Sequence, residues 1–247
     1  MKIIYSFWDS PFNNKESFRS VGGFRTKELF LSCAEKSVLA AQDKADIVEL
    51  YCNKESLLLL RPILHLFDNV IEIEVKSECT ELFALSKFEA YKLQTQPFTH
   101  LDLDFILKGE LPTDYDFLVE HRENVSVYTD VMFDYLSKFK ESNYISDFYY
   151  GGLKGTLGCG MGIFGVNDLV FLDEYIKEFE KLKQQIIILR AGKPTYVDMI
   201  FIEQGLFALM YQKQKKKTVY LSDTNKEYLH FISTMKTLIS TEEYLQQ

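Results

Sequence analysis

PFTHLDLDFILKGELP, residues 97–112, is the stretch on which the fold turns. Side chains of a strand alternate between faces. Read as one strand, FTHLDLDFIL puts His100, Asp102 and Asp104 on one face and Leu101, Leu103 and Phe105 on the other. Two like charges on a mostly buried strand repel and lose hydration, which is costly unless a cation or basic group compensates them. A hard divalent ion with oxygen ligands, bridging to a diphosphate, is the natural partner. D-x-D triplets also arise by chance, and a strand that ends here, its aspartates facing water or the next turn, fits the same letters.

Upstream, KIIYSFW (2–8) reads as a strand, DSPFNNKESFRSVGG (9–23) as a loop, and about Thr26 to Gln42 as a helix. DIVELYC (46–52) is a second strand, Ser56 to Phe67 is helical, and NVIEIEV (69–75) is a third strand. Thr80 is placed to cap a helix over ELFALSKFEAYKLQ (81–94), which leads into the D-x-D strand. Such alternation marks an α/β sheet with crossover helices, here a Rossmann-like half. Downstream the pattern is less regular. ENVSVYTDVMF (123–133) is a candidate strand, and the run GGLKGTLGCGMGIFG (151–165) holds seven of the 12 glycines. Asn167 or Asp168 caps an amphipathic helix with the stripe Leu172, Tyr175, Ile176, Phe179 and Leu182. QQIIILRAG (184–192) suits a helix end or a strand, VDMIFIEQGLFALMYQ (197–212) a buried helix, and TVYLSD (218–223) a late strand. With no internal repeat and no low-complexity linker, residues 1–247 are expected to form a single domain.

The bulk numbers narrow the function classes. Apolar residues make up 47% of the 247, ample for a large core. Twenty-eight basic against 36 acidic residues give a net charge of −8, which argues against a nucleic-acid-binding surface. SLLLL and IIIL fall far short of the roughly 20 residues of a transmembrane helix, so a cytoplasmic protein is expected, with peripheral membrane contact left open. Cys33, Cys52, Cys79 and Cys159 lack metal-finger spacing and read as free, mostly buried thiols.

Further candidates surround the D-x-D segment. His230 and Lys236 stand in YLHFISTMKT, where an imidazole can complete a two-carboxylate manganese site and a lysine can hold a phosphate. Taken singly, each is more commonly a surface group. Gly160, Gly162 and Gly165 match G-x-G-x-x-G literally but follow a glycine-rich loop, so close backbone approach to a ligand is the better reading, against that of a plain connector. Glu203 and Gln204 interrupt an apolar helix, where an ionised carboxylate needs a partner. Lys87 precedes the D-x-D strand and is either a phosphate contact or a solvated helix edge. The lysines of QKQKKK (212–217) suit a helix C-terminus.

In order, the strand with SFW, the helix FALSKFEAY, the strand HLDLDFI, the loop GMGIFG, EQGLF and the late HF....K make the chain resemble a GT-A-type glycosyltransferase. The likeness is to a bacterial glycosyltransferase-like family similar to the glycogenin and lipopolysaccharide galactosyltransferase group. The resemblance implies a mixed central sheet flanked by helices and a metal-dependent transfer of sugar from a nucleotide-diphosphate sugar, UDP-linked by analogy, to a glycan or other small acceptor. It implies Asp102, Asp104 and His230 as ligands of Mn2+ or Mg2+, with Lys236 and Lys87 near the phosphates and Gly162 at the donor. Glu203 and Gln204, the candidate catalytic residues, would lie beside donor sugar and acceptor, with Glu203 orienting the acceptor or stabilising an oxocarbenium-like centre. Two departures stand out: Gly160 replaces an asparagine of the family's loop, and HFISTMKTL (230–238) lacks the family's terminal Gly and Pro-Trp. A binding protein that has lost turnover, a sugar nucleotidyltransferase and an NAD-type enzyme built on the glycine run are the rival readings.

Overall fold

The computed structural model describes residues 1–15, 20–77, 79–123, 158–224 and 227–231. The chain opens with β1 (Lys2–Phe7), the short helix α1 (Asp9–Asn13) and α2 (Lys27–Gln42). There follow β2 (Ile47–Cys52), α3 (Ser56–Leu60), β3 (Asn69–Glu72), α4 (Leu85–Lys92) and β4 (Phe98–Leu101). Next come β5 (Phe105–Leu107), β6 (Phe117–Val119), β7 (Arg122–Glu123), β8 (Gly158–Cys159) and β9 (Ile163–Val166). The last described part holds α5 (Leu169–Leu189), α6 (Tyr196–Ile200), a π-helical turn (Phe201–Gly205) and α7 (Leu206–Lys213). It closes with β10 (Thr218–Tyr220), α8 (Leu221–Thr224) and β11 (Tyr228–His230).

Seven strands form a mixed, mostly parallel sheet in the order β10-β6-β9-β4-β1-β2-β3, flanked by helices. β1 pairs in parallel with β2 and β4, and β9 runs antiparallel between β4 and β6. Strands buried on both faces must be apolar on both. β1 shows this: Ile4 belongs to one core, Ile3 and Tyr5 to the other. Phe88 of α4 stacks on Phe179 of α5 with ring centroids 3.3 Å apart, fixing both helices on one face. Local capping agrees with the expected helix starts: the Thr26 hydroxyl accepts from the Leu29 amide, and the Asp168 carboxylate from the Phe171 amide. All five residues of the stripe from Leu172 to Leu182 are buried, and QQIIILRAG is a helix end.

Four expectations are corrected, the first being TVYLSD, whose strand ends at Tyr220 and whose remaining residues enter α8 (Leu221–Thr224). FTHLDLDFIL is not one strand, because β4 stops at Leu101 and the chain turns, the Phe105 amide donating to the Asp102 carbonyl at 2.9 Å. β5 then pairs antiparallel with β11 in a separate ribbon. The period-2 pattern runs through the turn because Leu103 is buried there as it would be in a strand. Thr80 does not cap α4, which starts at Leu85 without a side-chain cap; its hydroxyl accepts from Asn14 Nδ2 at 2.7 Å. The expected loop 9–23 contains α1 and a 3-10 turn at Ser20–Gly23. The candidate strand ENVSVYTDVMF beyond Glu123, and Lys236, lie outside the described residues. Among the described residues, no helix is long and apolar enough to cross a membrane.

Candidate metal and ligand site

β1 lies between β2 and β4, so the chain leaves it towards one side first and returns on the other. Ligands of open α/β sheets bind outside the carboxyl ends of strands at such a switch point. A solvent-open cleft of about 640 Å³ lies there. Ser6 at the end of β1, Ser86 and Lys87 of α4, and Asp102 and Asp104 of the turn after β4 give it a polar wall. Phe7, Trp8, Phe12, Phe30 and Phe83 give it an aromatic one.

The ribbon brings the far end of the chain to the D-x-D turn. His230 is opposite Phe105 in register, and the Phe231 amide donates to the Asp104 carbonyl at 3.2 Å. As a result, one ligand atom each of Asp102, Asp104 and His230 lie within 4.8 Å of one another. Carboxylate oxygens with one imidazole form a donor set that fits manganese or magnesium. His230 Nε2 is 3.4 Å from Asp104 Oδ1, and Nδ1 is 2.8 Å from Glu120 Oε2. Burial opposes the imidazolium charge, but the bonds to Asp104 and Glu120 outweigh it and raise the His230 pKa to about 9. Gly162 is part of this arrangement. Its carbonyl accepts from the Asp102 amide at 2.9 Å, and a Cβ on it would stand 2.5 Å from His230 Cε1 and 2.7 Å from Glu120 Oε2.

Lys87 is no solvated edge. Its Nζ lies 2.8 Å from Asp102 Oδ1 and 2.8 Å from Glu203 Oε1, and donates to the Met161 carbonyl at 3.1 Å. Burial opposes the ammonium, but the two carboxylates outweigh it and hold its pKa above the ordinary lysine value. Glu203 is 1% exposed and belongs to the π-helical turn, an irregularity frequent at functional sites. Gln204 is the next residue of that turn, half-buried. Neither is among the residues lining the cleft.

Two features escape the sequence reading. Glu120, 2% exposed after β6, is held to about 2: burial would raise its pKa, but bonds to His121 and His230 outweigh this. Its partner His230 is 110 residues away, so no local pattern announces it. The aromatic wall was visible as letters, SFW among them, but aromatic residues next to a strand read equally well as core.

The family described as "Family of unknown function (DUF6734)" matches residues 1–246, and the chain belongs to it. No curated protein matches. Among solved structures, the chain is similar to mouse xyloside xylosyltransferase 1 in its apo form, at 12% identity and a TM-score of 0.44, over 90% of this chain and 85% of that one. It is similar to the galactosyltransferase LgtC in complex with donor and acceptor sugar analogs, at 12% identity and a TM-score of 0.41, over 83% and 71%. A nucleoside-diphosphate-sugar pyrophosphorylase from Vibrio cholerae RC9 is similar at 12% identity and a TM-score of 0.47, over 100% of both chains.

Proposed function

We propose that this member of a family of unknown function is a divalent-metal-dependent glycosyltransferase acting on a nucleotide-diphosphate sugar, UDP-linked in the first instance, with a glycan or other small hydroxyl compound as acceptor. The observation that carries the reading is the convergence of Asp102, Asp104 and His230 within 4.8 Å beside a cleft at the switch point of the sheet. Asp102, Asp104 and His230 would hold Mn2+ or Mg2+. When bound, the cation neutralises charge building on the leaving diphosphate. The acceptor oxygen would bond to the anomeric carbon as the bond from that carbon to the diphosphate oxygen breaks, the hydroxyl proton passing to the departing diphosphate.

The chain's own residues supply orientation. Lys87 fixes the Asp102 carboxylate, and Glu203 holds Lys87 from behind, so Glu203 acts through the lysine. Gln204 remains the residue proposed beside the acceptor, and Lys236 the one proposed over the phosphates, both on sequence position. Trp8 and Phe12 offer apolar surface for the ring of a base or sugar. Residues 1–247 are read as one domain, which the sheet supports by taking strands from Lys2 through Tyr220. The free thiols of all four cysteines support a cytoplasmic setting.

Calorimetric titration of UDP into the purified protein, with and without Mn2+ and beside Asp102→Asn, tests the reading. Manganese-dependent binding that the variant loses is expected, followed by turnover in a donor and acceptor screen. Binding without turnover would instead favour a binding protein, and pyrophosphate release from a nucleoside triphosphate a nucleotidyltransferase. Failure of UDP, GDP, CMP and ADP alike to bind would remove the nucleotide-sugar reading.

A further inference from the structure

We propose that Glu120 is a positioning residue that fixes His230 with Nε2 aimed at the cation held by Asp102 and Asp104. The inference rests on the metal site proposed above.

A carboxylate only accepts, so the 2.8 Å contact between Glu120 Oε2 and His230 Nδ1 places a hydrogen on Nδ1. Nε2, which faces Asp104, is then the nitrogen left for a metal, and a cation there would take the place of the proton that the imidazolium holds towards Asp104. Outer partners of this kind set the tautomer and ring orientation of metal-binding histidines. Glu120 is itself anchored by its backbone. Its amide donates to the Gly160 carbonyl at 3.0 Å, and its carbonyl accepts from the Ser222 amide at 2.9 Å. Its other oxygen, Oε1, is 3.5 Å from His121 Nδ1, and His121 Nε2 is 3.6 Å from Glu123 Oε1. The carboxylate is thus held between two imidazoles.

This arrangement also accounts for the glycines at 160 and 162. A Cβ at Gly160 would lie 2.4 Å from His121 Cε1, and one at Gly162 would lie 2.5 Å from His230 Cε1. Real Cβ atoms do not approach so closely. Gly160-Met161-Gly162 therefore forms a floor cleared for the rings of His121 and His230, with Glu120 between them.

The test uses Mn2+ alone, its free concentration read by electron paramagnetic resonance, with the full chain and the variants Glu120→Gln, His230→Gln and the double variant. Thermal unfolding checks that each is folded. Glu120→Gln is expected to weaken Mn2+ binding about 10–100-fold. Because Glu120 acts through His230, the double variant should bind within about twofold of His230→Gln, as the coupling logic of double-mutant cycles requires. Affinity of Glu120→Gln within about twofold of the unaltered protein would overturn this inference alone, as would losses that multiply in the double variant. An unaltered protein that takes up no Mn2+ would overturn the metal site and this inference together. Should Glu120→Gln fail to fold, Glu120→Asp, which draws the carboxylate back by one methylene, is judged by the same criterion.

Discussion

Lys87 stands between Asp102 and Glu203 with only 11% of its side chain exposed, so its charge is balanced on both sides and cannot be removed alone. Deleting one member of a buried ionic group leaves the others uncompensated, at a cost of about 3–5 kcal/mol. Lys87→Met should therefore lower stability by about 3 kcal/mol in urea unfolding, and adding Glu203→Gln should recover part of the loss. Additive losses would show that the two groups do not share a field. Gly162 supports a second prediction. Gly162→Ala drives a Cβ into His230 and Glu120, so the imidazole must move. A loss of stability of about 1–3 kcal/mol is expected from overpacking, with Mn2+ affinity falling about tenfold or more as the ligand is displaced. Unchanged Mn2+ affinity in a folded Gly162→Ala would separate the glycine from the cation site.

At the scale of elements, what was legible depended on how local the cause is. Thr26 and Asp168 announce their helices because a cap acts within three residues. The end of β4 is not announced, because Leu103 keeps the apolar alternation while the backbone turns at Asp102. Thr80 misleads for the opposite reason: a good capping residue was taken up by Asn14, 66 residues away. β4 also carries a pH dependence. His100 is fully buried, its Nε2 3.0 Å from Ser6 Oγ, and burial, with Lys87 adding to it, pushes its pKa well below the ordinary histidine value. The unfolded chain binds this proton near pH 6.5 and the folded chain does not. His100 thus supports stability above about pH 6.5, and the unfolding free energy should fall by up to about 1.4 kcal/mol per pH unit below it. Urea unfolding at pH 6.5 and 5.0 checks this. His100→Asn should flatten the slope, and an equal slope in the variant would assign the acid sensitivity elsewhere.

At the scale of the whole molecule, the candidate site is assembled from the turn after β4, the end of β6, the start of β9 and the strand β11. Asp102, Asp104, His230 and Lys87 could be singled out in the sequence because each is a chemically unusual residue in an apolar setting. Which of them meet could not, since pairs such as Glu120 with His230 are set by sheet topology. The same dispersal predicts a global response to ligand. A cation held by Asp102, Asp104 and His230 would tie the turn after β4 to β11, and so would bind the folded chain and not the unfolded one. A ligand at about 100 times its Kd adds roughly 2.7 kcal/mol, which for a chain of this size is a shift in Tm of roughly 5–10 °C. Thermal unfolding should thus rise with Mn2+, rise further when UDP is added with Mn2+, and return to the starting value with EDTA. UDP without a divalent ion should shift it little. Asp104→Asn should remove the response to Mn2+, because the variant loses a charged ligand on the side of the site anchored to β11. A rise with UDP that survives EDTA would place the nucleotide in a metal-independent cleft, and the two aspartates would then serve the turn rather than a cation.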